Sequence, residues 1–242
     1  MSGKALLVVD VQRDFCSGGA LAVPNGDLVV QPLNRGIKFF DQNRDSVFFS
    51  EDCHPHTTKH FKEFGGIWPV HCVRTTWGAE FHPNLYFPLE HIYETVHEIL
   101  KGEGSEDDGY SAFEGHIYVP SPLGTRKWTL SEMLEGDFLE VFGGKKVKEL
   151  YVGGLATDWC VKATCLDAIK LGYNVYLLTD ACRAVNINDP NDPRRSEPEI
   201  VEIINWLSNH NQPITDENIA IEEMRRAGVI FTTTDKVIHE SR

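Results

Sequence analysis

The length, composition and charge of the chain set the first limits on its structure and partners. Its 242 residues are 41% hydrophobic and 24% charged, which is ordinary for a globular protein that can bury a substantial core. The formal net charge of −13 at pH 7 disfavours nucleic acid and anionic membrane surfaces as partners. No apolar run approaches the ~18 residues of a membrane span, so we expect no membrane contact.

The six cysteines raise the question of a disulfide framework. They lie in or beside apolar segments of a long chain, and the first residues lack the features of a signal peptide. We therefore expect reduced thiols and a cytoplasmic, reducing environment. The cysteines are Cys16, Cys53, Cys72, Cys160, Cys165 and Cys182.

Six short apolar or β-branched segments are predicted to be strands, because such runs are typical of parallel strands buried on both faces. They are residues 5–9, 46–52, 94–101, 149–153, 174–180 and 229–232. Apolar spacing and helix-favouring composition predict helices at 27–41, 130–141, 157–171, 199–209 and 216–227. Stretches rich in Gly, Pro, His or polar residues predict loops at 53–84, 102–125 and 186–198.

The alternation of strands and helices predicts an α/β fold. We expect one domain, residues 1–242, built on a doubly wound, mostly parallel six-stranded sheet with helices on both faces. Ligands bind such sheets at the carboxyl ends of the strands. A single acid at a strand end is common because Asp often starts a turn, whereas acids, an amine and a thiol at one edge predict a catalytic site. These side chains are Asp10, Asp52, Lys101, Cys160 and Asp180.

The segment 151–168 is the most informative part of the chain. After its strand, Gly153 and Gly154 permit a tight turn, and a helix with Thr157 as its N-cap is predicted to follow. Cys160 then falls in the first helical turn, where free backbone N–H groups and the helix dipole make a thiol easier to ionise. This arrangement predicts a nucleophile. The alternative is a buried structural cysteine, since free cysteines are among the most buried residues.

Asp10, Lys101 and Cys160 form the first predicted constellation. A cysteine nucleophile needs a group that takes its proton and later returns it to a leaving group. Asp10 suits this role, because a carboxyl group in a dry crevice has a raised pKa. Lys101 would stabilise developing negative charge. The alternative is an Asp that caps a turn and a Lys that pairs with it at the surface.

Asp52, His54 and His71 form the second constellation, a predicted metal site. On an extended segment, residues two apart point to the same side, so Asp52 and His54 can act together, and His71 completes a three-ligand set. Mixed oxygen and nitrogen ligands suit Zn, Fe or Mn. His56, His60 and Glu63 lie nearby and could add a ligand. The alternatives are a histidine-rich loop that only caps turns, and zinc binding by Cys53 and Cys72, which lack a Cys-x-x-Cys pair.

Aromatic and apolar residues flank the predicted site. Phe15, Leu21, Trp68 and Tyr110 either clamp a flat ring or pack in the core. The glycines at 153–154 lack the spacing of the phosphate-binding motifs, so nucleotide binding is not expected.

Several motifs together resemble those of the isochorismatase-like hydrolases, and within them the nicotinamidases, also called pyrazinamidases. The three catalytic candidates mark the cysteine-hydrolase branch, and the Asp and His ligand set marks the nicotinamidases. The motifs are DVQRDFC at 10–16, DCHP at 52–55, WPVHCV at 68–73, KG at 101–102, YSAF at 110–113, GLATDWCV at 154–161 and DACR at 180–183.

The resemblance implies a three-layer α/β/α hydrolase that converts nicotinamide to nicotinate and ammonia in NAD salvage. Asp10 would take the proton of Cys160, whose sulfur would attack the carboxamide carbon. The backbone N–H groups of Ala156 and Cys160 would bind the oxyanion, and a cis peptide is implied at 155–156. A divalent metal, with Zn favoured over Fe or Mn, would bind the pyridine nitrogen. Phe15, Leu21, Trp68 and Tyr110 would surround the ring.

Three alternatives remain on sequence grounds. An amidohydrolase of carbamoyl or ureido substrates would not need the metal ligands, and an isochorismatase would not need Cys160. A catalytically silent scaffold of this fold is also conceivable, since fold does not fix function. The sequence leaves open whether the chain forms a homo-oligomer. It also gives no role to residues 116–127 and 194–218, which extend the minimal family core.

Overall fold

A computed structural model describes residues 3–92, 94–122, 124–135 and 146–240 of the chain. Its strands are β1 (Gly3–Val9), β2 (Ser46–Asp52), β3 (Val96–Lys101), β4 (His116–Ser121), β5 (Gly124–Thr129), β6 (Val147–Leu155), β7 (Asn174–Arg183) and β8 (Ile230–Thr232). Its helices are α1 (Val30–Gln42), α2 (Leu130–Glu135), α3 (Lys162–Lys170), α4 (Pro198–Asn209), α5 (Asp216–Ala227) and α6 (Thr234–Glu240).

The strands form one open sheet in the order β5-β4-β3-β2-β1-β6-β7-β8. The pairings from β3 across to β8 are parallel, whereas β3 with β4 and β4 with β5 are antiparallel. The predicted α/β fold with a mostly parallel sheet is therefore confirmed. The predicted number of six strands is wrong, because β4 and β5 add a hairpin in the predicted loop 102–125 and the four residues after it, which were assigned to no element.

The hairpin escaped prediction because it is only half buried. In β4, Ile117 and Val119 are buried while their neighbours are more exposed, and the first four residues of β5 are all exposed. A continuous apolar run, the signal that revealed the other strands, requires burial on both faces. An edge hairpin buries alternate residues of one strand and too few of the other to show a clear pattern.

Most predicted helices are present with small shifts at their ends. Part of the predicted helix at 130–141 lies outside the described residues, and α6 was not predicted. The predicted helix at 157–171 begins with a π-helical turn, Thr157–Val161, before α3. Its N-cap is Ala156 without a side-chain cap, so the prediction of Thr157 as N-cap is wrong.

Helices cover both faces of the sheet because the side chains of each strand alternate between faces. In β1, Leu6 and Val8 join a core cluster with Leu33 and Ile37 of α1. Leu7 and its alternate neighbours join a second cluster on the opposite face, to which α3 and α5 contribute. The sheet is thus the middle of three layers.

The expectations of reduced cysteines and of no membrane span can be compared with the described part of the chain. All six cysteines lie within it and carry free thiols, as expected. None of its helices combines the length and the apolar character that a bilayer crossing requires.

The carboxyl ends of the central strands converge at one edge. Asp10 follows β1, Asp52 and Lys101 end β2 and β3, and the turn that carries Cys160 follows β6. Asp180 does not belong to this edge, because it lies inside β7 and accepts hydrogen bonds from the backbone N–H and hydroxyl of Thr234. Its predicted place among the converging groups is therefore wrong.

Substitution of Gly154 tests how closely β1 and β6 pack next to this edge of the sheet. Its φ is 135°, and an added Cβ would lie 2.0 Å from the carbonyl oxygen of Val9. We expect Gly154→Ala to lower the free energy of unfolding by about 4 kcal/mol or more, measured by urea denaturation. Gly172→Ala is the matched control, since its φ is 87° but no atom lies within 4 Å of the added Cβ. That variant should lose only about 1–2 kcal/mol. Equal losses in the two variants would contradict the packing described here.

Candidate active site

The ammonium group of Lys101 lies at the centre of a buried polar cluster. Its Nζ is 2.9 Å from Oδ2 of Asp10 and 3.5 Å from Sγ of Cys160, and it donates to Oδ1 of Asp52. A further hydrogen bond runs to the carbonyl oxygen of Gly109 at 2.5 Å. Lys101 is 1% exposed, Asp10 0% and Cys160 7%. The structure thus brings the three predicted catalytic side chains together, and it rules out the alternative of a surface pair.

The backbone and a neighbouring hydroxyl fix the carboxyl group of Asp10. Its N–H donates to the carbonyl oxygen of Ser50 at 3.0 Å, and the Ser50 hydroxyl donates to Oδ1 of Asp10 at 2.7 Å. Burial raises the pKa of Asp10 to about 6, although the charge of Lys101 opposes this shift. The carboxyl group can therefore both accept and release a proton near neutral pH. Sequence reasoning missed Ser50, because a serine inside a strand carries no distinguishing signal.

The thiol of Cys160 is more difficult to ionise than the sequence suggested. Burial raises its pKa well above the ordinary range, and the nearby charge of Lys101 only partly opposes this effect. The expectation of easy ionisation at a helix start is therefore wrong, because loss of hydration outweighs the favourable field. Ligand atoms of Asp10 and Cys160 lie within 4.8 Å of each other. A thiolate can thus form when the proton moves to Asp10.

The turn before Cys160 shows the implied backbone geometry. The peptide bond between Leu155 and Ala156 is cis. The carbonyl oxygen of Ala156 accepts hydrogen bonds from the N–H groups of Trp159 at 3.0 Å and Val161 at 3.1 Å, which closes the π-helical turn around Cys160.

Three buried imidazoles, those of His54, His60 and His71, face one another beside this cluster, with one nitrogen from each within 4.8 Å of the others. Nδ1 of His54 is 3.1 Å from the carbonyl oxygen of Gly102, and Nδ1 of His71 is 2.8 Å from that of Pro69. If each Nδ1 carries the proton for these contacts, both Nε2 atoms are free to act as ligands.

Asp52 connects the imidazoles to the catalytic cluster. Its Oδ2 lies 3.6 Å from Nε2 of His54 and 3.7 Å from Nε2 of His71, while its Oδ1 accepts from Lys101. Nε2 of His54 is buried and has no hydrogen-bond partner among the residues that the structure describes. A buried acceptor without a partner beside two further imidazoles and a carboxylate fits a metal ion. The predicted residues Asp52, His54 and His71 are therefore adjacent, as a metal site requires.

His60 is the additional candidate that the structure favours. Its ring stacks on that of His54 with centroids 4.6 Å apart, whereas His56 and Glu63 are exposed. Burial, followed by the effect of His54, lowers the pKa of His60 to about 3, so the imidazole is neutral at pH 7. Neutral imidazole is the form that binds metal. Among the described residues, Cys53 and Cys72 belong to no group that could hold a metal ion, which disfavours the thiolate alternative.

Aromatic rings enclose the same region. The ring of Phe15 is 5.5 Å from that of His71, and Leu21 packs with the cluster that contains Phe15. Nε1 of Trp68 donates to the hydroxyl of Tyr110 at 2.9 Å. Trp159 completes this group, with ring centroids 4.7 Å from Trp68 and 5.2 Å from Tyr110. Sequence reasoning missed Trp159, although its place immediately before Cys160 was an available signal.

A glutamine and an aspartate hold the loops around the site. The amide of Gln12 donates to the carbonyl oxygen of Asp52 at 2.9 Å and accepts from the N–H of Asp52 at 2.8 Å. The carboxylate of Asp14 accepts from the N–H groups of Cys72 at 2.8 Å and Ala20 at 3.0 Å. Both residues belong to the predicted motif at 10–16, but only the structure shows what they support.

Comparison with known proteins agrees with this geometry. The isochorismatase domain model matches residues 4–94 and 118–192. The chain belongs to the isochorismatase family. Nicotinamidase of Escherichia coli K12 is 40% identical over 202 residues, which are 77% of this chain and 86% of that protein. Nicotinamidase of Acinetobacter baylyi is 34% identical over 201 residues, covering 76% and 83%.

A solved structure of this isochorismatase-family fold carries a metal ion. The crystal structure of Pyrococcus horikoshii pyrazinamidase in complex with zinc superposes with a TM-score of 0.67 at 34% sequence identity. The match covers 95% of this chain and 98% of that one.

Removal of the Lys101 charge should strongly destabilise the protein. Lys101→Met leaves two buried carboxylates without their counter-ion, and we expect the free energy of unfolding to fall by about 3–5 kcal/mol. Urea denaturation in a buffer with chelator measures this loss. Lys162→Met is the matched control, because Lys162 pairs with the single carboxylate of Glu223 nearer the solvent and its loss should cost less.

The loss of unfolding free energy in Lys101→Met should depend on pH. Without Lys101, burial and mutual repulsion raise the pKa values of Asp10 and Asp52 in the folded state above their unfolded values. The folded variant then binds more protons than the unfolded chain, so its stability falls as pH rises. We expect a larger deficit relative to wild type at about pH 8 than at about pH 5. A deficit independent of pH would contradict the described role of Lys101.

Proposed function

We propose that this member of the isochorismatase family is a nicotinamidase, an amidohydrolase of linear amides that converts nicotinamide to nicotinate and ammonia. The observation that carries the proposal is the contact of Lys101 with Asp10, Asp52 and Cys160, directly beside three facing imidazoles. The proposed cysteine hydrolase site and the proposed pyridine-binding metal site thereby lie side by side, with Asp52 in contact with both. The reaction places the enzyme in NAD salvage, and we assign it to a single domain, residues 1–242.

Asp10 and Cys160 would carry out the covalent chemistry. The proton of the Cys160 thiol moves to the Asp10 carboxylate, and the sulfur attacks the carboxamide carbon. Asp10 then gives this proton to the amide nitrogen, so that ammonia leaves and a thioester remains. Water hydrolyses the thioester after passing a proton to Asp10, which releases nicotinate and restores the thiol. The pKa of about 6 at Asp10 suits a group that must take up and return a proton.

Negative charge on the substrate oxygen needs fixed donors. We assign this role to the backbone N–H groups of Ala156, which is the N-cap of the π-helical turn, and of Cys160, which lies within that turn. Preorganised donors of this kind typically lower a barrier by about 3–4 kcal/mol. Lys101 adds positive charge beside the sulfur and holds both carboxylates in place.

Asp52, His54 and His71 would hold one divalent metal ion, with His60 as a fourth ligand. We propose Zn, with Fe or Mn as alternatives, because the set combines one carboxylate with imidazole nitrogens. When bound, the ion would supply a Lewis acid for the pyridine nitrogen. Phe15, Leu21, Trp68 and Tyr110 would bind the faces and edges of the ring, and Trp159 lies against two of them.

Ammonia release from nicotinamide tests the catalytic assignment. Wild-type protein loaded with zinc should release ammonia, and Cys160→Ala should lower kcat by roughly a thousandfold or more, because no nucleophile remains. Cys165→Ala is the matched control, since Cys165 is a buried free thiol in α3 that packs in the apolar core. Wild-type protein that releases ammonia only from carbamoyl or ureido substrates would overturn the proposed substrate.

Metal content tests the ligand assignment without any activity measurement. We expect about one divalent ion per chain in wild type, and His54→Ala should weaken binding by more than the roughly 10–100-fold that loss of an outer partner costs. Elemental analysis and calorimetric titration with zinc measure this. His91→Ala is the control, because His91 pairs with Asp41 away from the site. Unchanged zinc affinity in His54→Ala would refute the assignment.

A further inference from the structure

The loop that follows β7 is attached to the turn that carries Cys160. The carboxylate of Asp158, two residues before Cys160, accepts hydrogen bonds from the N–H groups of Val185 at 3.0 Å and Asn186 at 2.8 Å. This loop, residues 184–197 between β7 and α4, contains the first residues of the extension at 194–218, which has no role assigned from the sequence. Its attachment brings it next to the candidate active site.

Arg194 in this loop covers the face of Trp159. Its guanidinium carbon lies 4.1 Å from the centre of the Trp159 ring, a short cation–π distance. The carboxylate of Asp192 accepts from Nε of Arg194 at 3.0 and 2.9 Å and also from Nη2. The guanidinium donates from two of its nitrogens to one carboxylate. This fixes its plane, because a planar group bound at two points cannot rotate freely.

Trp159 lies between Arg194 and the residues proposed to bind the substrate ring. Its ring lies against both Trp68 and Tyr110, and those two side chains are themselves joined by a hydrogen bond. Contacts therefore run without a break from Arg194 in the surface loop through Trp159 to Trp68 and Tyr110, with the ring of Trp159 meeting that of Trp68 edge to face. A shift of Trp159 would alter the space available to a flat ring.

We propose that Arg194 is a positioning residue for substrate recognition, which holds Trp159 in place and so fixes the Trp68–Tyr110 wall of the pyridine pocket. The inference rests on the proposed nicotinamidase function. It assigns a role in binding an aromatic amide to a loop outside the minimal family core. Because the Arg194 side chain contacts Trp159 and Asp192 rather than Asp10, Lys101 or Cys160, its removal should affect substrate binding far more than the chemical steps.

The loop does not depend on Arg194 for its own attachment. Arg195 pairs with Asp216 of α5, and the N–H of Asn188 donates to the same carboxylate at 2.6 Å. These contacts, together with those of Asp158, remain when the Arg194 side chain is removed. The side chain is 41% exposed, so its truncation leaves no buried cavity.

The first experiment compares KM and kcat for nicotinamide in Arg194 variants. Loss of the cation–π contact in Arg194→Ala should raise KM about 3- to 10-fold and leave kcat within about twofold. Arg194→Lys should recover part of the loss, because an ammonium group also interacts with the ring face. The matched control is Arg126→Ala, which removes another stacked arginine, 3.6 Å from the centre of the Trp128 ring on β5. Its KM should equal that of wild type.

A double-mutant cycle then tests whether Arg194 acts through Trp159. Trp159→Leu keeps apolar bulk but removes the ring, and in this background Arg194→Ala should raise KM no further. Thermal unfolding checks that each variant is folded. A wild-type KM in Arg194→Ala would overturn the inference, and so would an equal KM increase from Arg194→Ala with and without the Trp159 ring. In both cases, turnover of nicotinamide by the wild type would still support the proposed function. Absence of turnover in metal-loaded wild type would instead overturn both.

Discussion

The site depends on a single buried ammonium group shared between two carboxylates and a thiol. Each of these groups would be costly to bury alone, because ionised side chains lose their hydration. Lys101 offsets that cost for Asp10 and Asp52 together, and it also faces the sulfur of Cys160. The parallel sheet makes this possible by ending β1, β2 and β3 at the same edge. The contact between Asp52 and Lys101 follows from the strand register, since the two are paired residues of the neighbouring strands β2 and β3.

Asp52 lies between the catalytic cluster around Lys101 and the group of buried imidazoles. One oxygen contacts Lys101, on the side of the proposed nucleophile Cys160, while the other faces the imidazoles of His54 and His71. The two constellations found separately in the sequence are thus one connected polar network with a shared carboxylate. A substrate with a carboxamide at one end and a ring nitrogen at the other matches this arrangement, and the aromatic side chains supply the apolar surface between them.

The sequence predicted the parts of this molecule that have strong local signals. Continuous apolar runs located the parallel strands, and the polar residues at their ends located Asp10, Asp52, Lys101 and Cys160. It failed where the deciding effect was tertiary. Nothing local revealed that burial would raise the pKa of Cys160, that Asp180 would turn to Thr234, or that a half-buried hairpin would extend the sheet. Likewise, Trp159 and Arg194 are 35 positions apart, and only the folded loop shows that they stack.

The added hairpin also determines how the sheet ends. A strand at a sheet edge leaves unpaired N–H and C=O groups that can recruit strands from other molecules, and charged side chains discourage such association. The outermost strand β5 carries the exposed side chains of Arg126 and Lys127, and the opposite edge is β8, only three residues long. In the part of the chain that the structure describes, neither edge of the sheet therefore offers a long apolar template. The hairpin that lengthens the sheet also protects a largely apolar parallel core from edge-to-edge aggregation.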